Sequence, residues 1–108
     1  MKTVLKNGNV FYQNKIQKLD VEIDGETISR IGKELDGDNV IDCTDLLVTP
    51  GFVDLHVHLR EPGFEHKGTI KTETLSAKYG GYTHIVAMAN TNPCMDNQET
   101  IDDFTKRV

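Results

Sequence analysis

Two histidines separated by one residue, His56 and His58, are the side chains in this sequence best suited to chemistry. On a β-strand, residues two apart point to the same face, and a rise of about 3.3 Å per residue places their Cα atoms roughly 7 Å apart. Both imidazoles can then bind one metal ion, because Zn–N bonds are about 2.0–2.1 Å long. A His-x-His pair alone is weak evidence, and two ligands are too few for a tight site, so others must come from elsewhere.

Asp54 and Arg60 share the face of the two histidines in an alternating segment that we predict to be a strand, residues 52–60. The other face is apolar: Val53, Leu55, Val57 and Leu59. Asp54 is placed to orient a histidine ligand through a hydrogen bond, without binding the metal itself. The planar fork of Arg60 suits a substrate carboxylate or phosphate. Pairing with a structural carboxylate such as Glu61 is an equally good interpretation of Arg60.

The elements that must position these side chains are predicted to alternate between strand and helix. Pro50-Gly51 marks a junction, and the strand at 52–60 follows it. We then predict a helix at about Thr69–Tyr79, stopped by Gly80-Gly81, a strand at Tyr82–Ala89 and a second helix from Gln98. The apolar character of Tyr82–Ala89 favours a parallel strand buried on both faces. This βαβα order predicts an α/β fold with a parallel sheet.

Residues 1–50 are predicted to form a small antiparallel sheet or half-sandwich, with nothing catalytic in it. Asn7-Gly8 and Asp24-Gly25 lie between apolar pairs, and both dipeptides favour hairpin turns. A complete (β/α)₈ barrel takes about 250 residues, so two β/α units cannot close one. Residues 51–108 are therefore either a small two-layer α/β protein or the opening of a barrel that stops before it is complete.

Composition excludes several classes of function. The net charge is −5 without a clustered basic face, which argues against nucleic-acid binding. No apolar run approaches the roughly 20 residues of a membrane-spanning helix, and charge breaks the N-terminal segment too early for a secretory signal. We therefore expect a cytoplasmic protein. Cys43 and Cys94 form no Cys-x-x-Cys pair, and we expect two reduced thiols.

The stretch PGFVDLHVHLREPG, residues 50–63, resembles the signature of cyclic amidohydrolases, and of class I dihydroorotases in particular. Similarity extends over nearly the whole chain. Leu5-Lys6-Asn7-Gly8 and Asp24-Gly25 resemble the N-terminal β-domain of that family, and residues 80–83 and 88–93 resemble its second barrel strand and following loop. The resemblance implies a partial β-sandwich at 1–50 and, at 51–108, the start of a truncated metal-dependent amidohydrolase TIM barrel.

The resemblance also implies roles for individual residues. His56 and His58 match metal ligands for one or two Zn²⁺ ions, and His58, Arg60 and Asn90 match residues that contact substrate, with Arg60 and Asn90 holding its carboxylate. The implied reaction is reversible hydrolysis of dihydroorotate to N-carbamoyl-aspartate in pyrimidine biosynthesis. The general base and the remaining ligands are expected beyond Val108, so the 108 residues alone should be inactive, and a homo-oligomer is expected at full length. Ala89 departs from the family, which usually has proline there.

Other interpretations stay open at this point. Hydantoinases, dihydropyrimidinases and allantoinases share the Pro-Gly and His-x-His pattern, whereas Arg60 and Asn90 favour a dihydroorotase. Some relatives of amidohydrolases are non-catalytic scaffolds. The presence of both His56 and His58 argues against that interpretation here. His84 lies six residues before Asn90, so we expect a structural role at the barrel floor, and His66 is expected to be exposed without function.

Overall fold

The computed structural model describes all residues from 1 to 108 and contains seven strands and two helices. The chain divides into two compact units, Met1–Pro50 and Gly51–Val108. The first unit holds five strands: β1 (Lys2–Tyr12), β2 (Lys15–Asp24), β3 (Thr27–Gly32), β4 (Asn39–Asp42) and β5 (Leu47–Val48). The second unit holds β6 (Phe52–Val57), α1 (Ile70–Tyr79), β7 (Tyr82–Ala87) and α2 (Gln98–Arg107). Neither helix has the length and apolar character needed to cross a membrane.

The first unit is a single five-stranded sheet of order β3-β2-β1-β4, with β5 pairing further along β1. The predicted antiparallel arrangement is correct for β1, β2 and β3. It is wrong for β4 and β5, which pair with β1 in parallel. The connection at residues 33–38 carries the chain from one edge of the sheet to the other, and alternation within a short strand does not report strand direction.

The predicted hairpin at Asn7-Gly8 is wrong, because this dipeptide lies inside the long strand β1. Asn7 takes a left-handed φ of 63°, and the register against β2 shifts between Leu5 and Gly8, as in a β-bulge. The hairpin between β1 and β2 lies instead at Gln13-Asn14, where φ is 51° and 59°. Two consecutive positive φ angles are typical of the type I′ turn. The predicted hairpin at Asp24-Gly25 is confirmed.

The core of the first unit combines apolar side chains with two buried carboxylates. Its buried apolar residues are Val4, Val10, Val21, Leu35 and Cys43. The Glu22 side chain is 2% exposed and accepts hydrogen bonds from Ser29 Oγ at 2.8 Å and Lys2 Nζ at 3.2 Å. These bonds, the one from Ser29 above all, lower the pKa of Glu22. Asp20 accepts from the main-chain N–H groups of Asn7 and Leu35 at 2.8 and 3.0 Å.

The second unit confirms the predicted βαβα order. β6 and β7 pair in parallel. Thr69 caps α1 through a capping box with Thr72, and Gly81, with φ of 82°, takes the left-handed position after its C-terminus. Asn97 caps α2 by accepting from the N–H of Thr100 at 3.1 Å. Both predicted helices therefore begin within one residue of their expected positions.

Two details of the strand predictions are wrong. β6 ends at Val57 rather than Arg60, whose φ of 69° lies in the left-handed region and interrupts the alternation. β7 is not buried on both faces, since Val86 is 47% exposed. The sheet of this unit contains only two strands, so its apolar faces remain open; Leu55 of β6 is 70% exposed.

Candidate functional site

The two histidines lie where β6 ends. His56 is the second-to-last residue of the strand, and His58 is the first residue after it. Their ring centroids are 5.2 Å apart and the ring planes are inclined at 66°. An imidazole bound to zinc through one nitrogen has its centroid about 3.2 Å from the ion, and two such rings at a tetrahedral angle are about 5.2 Å apart. The distance between the two ring centroids therefore equals the one expected for two imidazoles on a single tetrahedral ion.

His58 is held by Asn90, a contact that spans 32 positions of the sequence. His58 Nδ1 lies 2.9 Å from Asn90 Oδ1. An amide oxygen only accepts, so Nδ1 carries the proton and Nε2 is the nitrogen available to a metal. Partners of this kind fix the tautomer and orientation of a histidine ligand. Sequence reasoning placed Asn90 near the site but missed this bond, which depends on the parallel pairing of β6 with β7.

Asp54 acts on the main chain of its own strand. Its Oδ1 accepts from the backbone N–H of His56 at 3.0 Å. The bond ties the carboxylate to the residue that carries the first imidazole rather than to the ring itself. Asp54 is half-buried, whereas His56 is exposed.

Arg60 has a guanidinium free of protein partners. It forms no ion pair within 4.0 Å and no side-chain hydrogen bond, and it is half-buried two residues beyond His58. Glu61, the structural partner considered from sequence, turns elsewhere. It accepts from Ile70 N at 3.0 Å and pairs with Arg107 at 3.4 Å. The structure thus leaves the Arg60 fork available to a ligand.

Two loops carry the site, and we name them the first loop (residues 58–69) and the second loop (residues 88–97). They are joined beyond the strands by a main-chain hydrogen bond from Asn92 N to Pro62 O at 2.9 Å. Gly63, with φ of 96°, lies directly against Asn92. The N–H of Gly63 donates to the carboxylate of Glu65 at 2.9 Å, and this bond is the largest cause of the lowered pKa of Glu65.

The second loop is organised around the carbonyl of Ala89, which in the sequence comparison above departs from the family that the chain resembles. Ala89 O accepts from the N–H groups of Thr91 and Met95 at 2.9 and 3.1 Å, and from Cys94 Sγ at 3.1 Å. These three bonds restrict the loop where no proline ring does. Cys94 is exposed and unpaired, and Cys43 of the first unit is buried and unpaired.

The other histidines lie apart from this arrangement. His84 pairs with Val53 near the beginning of both strands, at the end of the sheet opposite His56, and its Nδ1 lies 3.0 Å from Thr83 Oγ1. His66 is exposed and packs its ring edge toward Phe64. No group of three or more His, Cys, Asp or Glu side chains is arranged to hold a metal ion. The chain therefore supplies two ligands at most from this strand end.

Sequence comparison identifies the family. The model of the family described as Dihydro-orotase-like matches residues 45–108, which include both loops. The chain belongs to the dihydro-orotase-like family. It is 46% identical to a dihydroorotase of Bacillus subtilis over all of its length, and 42% identical to one of Lactobacillus johnsonii over 98%. The chain spans about a quarter of the length of these relatives, 26% and 25% respectively.

Solved structures similar to this dihydro-orotase-like chain include a dihydropyrimidinase and an L-hydantoinase. A dihydropyrimidinase from Brevibacillus agri matches all of the chain with a TM-score of 0.83 and 32% identity. An L-hydantoinase from Arthrobacter aurescens matches 97% with a TM-score of 0.85, and its 24% identity supports the fold alone. In both cases the chain covers 24% of the solved protein. The arrangement of strands and helices described above is therefore a part of a larger fold in these proteins.

Proposed function

We propose that this chain belongs to a zinc-dependent dihydroorotase that interconverts dihydroorotate and N-carbamoyl-aspartate in the pyrimidine pathway of the cytoplasm. The observation that carries the proposal is the free guanidinium of Arg60, two residues beyond a histidine pair spaced for one ion. The identity of 42–46% to dihydroorotases supports it. In this proposal residues 51–108 begin a (β/α)₈ barrel, residues 1–50 are part of a β-sandwich, and the complete protein is a homo-oligomer.

His56 and His58 are the residues that would hold zinc. Zinc held there would supply Lewis-acid chemistry for the ring carbonyl of the substrate and would lower the pKa of water. His58 donates from Nδ1 to Asn90, which leaves Nε2 as the nitrogen that would bind the ion. Asp54 stabilises the strand end by accepting from the N–H of His56. The general base and further ligands belong to parts of the protein outside these residues.

Asn90 has a second group to offer. Its Oδ1 is engaged by His58, whereas its Nδ2 has no protein partner and can donate to an acceptor on the substrate. Arg60 adds a charged fork on the neighbouring loop. A ring carboxylate is the acceptor that satisfies both donors, since it accepts from a guanidinium and an amide at once. Asn90 would then join the metal side of the site to the carboxylate side.

A hydantoinase or dihydropyrimidinase is the second candidate, because solved proteins with these names share the fold. Hydantoin and dihydrouracil are cyclic amides without a ring carboxylate. A site for them has no need of an unpaired arginine at this position, because an uncompensated charge beside an uncharged ligand costs free energy. Arg60 therefore favours the dihydroorotase.

Turnover by the full-length, zinc-loaded protein tests the proposal. We expect kcat/KM for dihydroorotate to exceed that for hydantoin, dihydrouracil and allantoin. A preference for hydantoin or dihydrouracil would show that the second candidate, a hydantoinase or dihydropyrimidinase, is correct. Zinc binding without turnover of any of these compounds would indicate a non-catalytic member of the family.

A further inference from the structure

Residues 57–62 and 88–92 are joined at three points that occur in the same order along both segments. Met88 N donates to Val57 O at 2.8 Å where the strands end. The side chains of His58 and Asn90 meet next, at 2.9 Å. Asn92 N then donates to Pro62 O at 2.9 Å. Residues 57–62 and 88–92 therefore form a closed ring of chain, and Arg60 and Asn90 both lie within it.

The outermost connection depends on a glycine. A methyl group at Gly63 would meet Asn92 Cβ at 2.5 Å and Asn92 Cα at 2.9 Å, and it would overlap the Asn92 carbonyl oxygen. The left-handed φ of 96° disfavours any other residue there as well. Only glycine lets the two loops approach closely enough for the bond between Pro62 and Asn92.

Glu61 fastens the same part of the first loop to a helix. Its Oε2 accepts from the N–H of Ile70, the first residue of α1, at 3.0 Å, and its side chain is 20% exposed. A carboxylate at a helix N-terminus satisfies a main-chain donor and is favoured by the helix dipole. Arg107 of α2 lies 3.4 Å from Oε1 of the same carboxylate. The residue next to Arg60 is thus held by two further elements.

We infer that Gly63, Asn92 and Glu61 are positioning residues that set the spacing between Arg60 and Asn90, and that this spacing selects cyclic amides bearing a ring carboxylate. The inference rests on the proposed dihydroorotase function. None of the three residues needs to touch the substrate. The closed ring of chain transmits their effect. If one loop is displaced, Arg60 and Asn90 move apart, and they can no longer both donate hydrogen bonds to the substrate carboxylate.

The principal test is Gly63→Ala in the full-length protein. Loss of a contact that is remote from the reacting carbonyl weakens ground-state and transition-state binding alike, so KM rises while kcat is kept. We expect KM for dihydroorotate to rise by a factor on the order of ten or more, because a charged hydrogen bond to the substrate carboxylate would be weakened. The zinc content, kcat and the kcat/KM for dihydrouracil, which has the same ring without the carboxylate, should stay within about twofold.

Gly81→Ala is the matched control. Gly81 also has a positive φ, 82°, but a methyl group there meets only the Phe52 ring, at 3.6 Å. It therefore reproduces the strain of alanine in a left-handed conformation without pushing the loops apart. We expect Gly81→Ala to lower stability and leave KM for dihydroorotate unchanged.

Glu61 gives an independent measurement if Gly63→Ala does not fold. Glu61→Ala removes the acceptor of Ile70 N and should raise KM for dihydroorotate about severalfold, whereas Glu61→Gln retains an acceptor oxygen and should restore most of the wild-type value. Wild-type KM in folded Gly63→Ala or in Glu61→Ala would overturn the inference, and so would an equal loss with dihydrouracil. Failure of the wild type to turn over dihydroorotate would instead overturn the proposed function.

Discussion

The two units of this chain differ in how far they bury their side chains. The first unit encloses Val4 completely and buries Glu22 to 2% exposure with its hydrogen bonds satisfied. The second unit buries few apolar side chains and leaves Leu55 of β6 70% exposed, yet it carries every candidate site residue. The sheet of residues 1–50 is stabilised from within, whereas the strands that carry the site pair with each other and leave much of their apolar surface exposed.

Removal of a candidate metal ligand should have the largest effect. His58→Ala in the full-length protein deletes both the Nε2 ligand and the bond to Asn90, so zinc affinity should fall by more than about 100-fold and turnover should be lost. Metal content and dihydroorotate hydrolysis measure this. His84→Ala is the control, because His84 is an exposed histidine at the other end of the same sheet. Equal losses in the two variants would contradict the assignment of the site.

Arginines from the two units should differ sharply in their effect on catalysis. Arg60→Ala removes the free guanidinium, and a charged hydrogen bond is worth about 1.5–3 kcal/mol, so kcat/KM for dihydroorotate should fall about 10- to 150-fold. Arg30→Ala removes an exposed arginine 3.9 Å from Glu22 and should leave kcat/KM unchanged. Steady-state kinetics on both variants provide the measurement. An unchanged kcat/KM in Arg60→Ala would remove the basis for the substrate assignment.

Truncation of an apolar side chain should lower the free energy of unfolding more in the first unit than in the second. Val4→Ala removes two methyl groups from a fully buried site and should cost about 2 kcal/mol. Leu55→Ala in the 108-residue chain should cost less than about 0.5 kcal/mol, because that side chain is already in water. Denaturant unfolding of the chain measures both. A large cost for Leu55→Ala in the full-length protein alone would show that other parts of it cover β6.

Acid should weaken the first unit through Glu22. The folded-state pKa of Glu22 lies below its ordinary value of 4.5, so the ionised carboxylate stabilises the sheet above that pH. This contribution is lost as the pH falls through 4.5 toward the folded-state pKa. Glu22→Gln should therefore destabilise β1 and β2 at neutral pH and reduce their acid sensitivity, as measured by hydrogen exchange. Glu26→Gln, in the exposed turn after β2, should change neither.

Local patterns predicted the order of elements in the second unit well. The predicted helix at about Thr69–Tyr79, its stop at Gly80-Gly81 and the second helix from Gln98 are confirmed. Thr69 and Asn97 are the residues that cap the two helices, and capping acts over only a few residues. Asn7-Gly8 shows the limit of local patterns. The same left-handed conformation serves a hairpin or a bulge, and the choice depends on Asp20, 13 positions away, which binds the N–H of Asn7.

The candidate site was predictable in its residue types and not in its connections. Alternation placed His56 and His58 on one side of a strand, and their ring separation suits that prediction. The partner of Glu61 was not predictable, because Arg107 lies 46 positions away and neither residue has a distinctive spacing. The roles of Arg60 and Asn90 remain predictions that the kinetic experiments decide.

The bond between Pro62 and Asn92 is made entirely of main-chain atoms. Alanine at position 62 or 92 would therefore leave the bond in place, although a single-residue deletion in either loop would break it. For protein engineering this means that loop length is the quantity to preserve. The side chain at position 60 can be exchanged to suit a different ring substituent, provided that Asn90 is kept as the partner of His58 and both loops keep their present lengths.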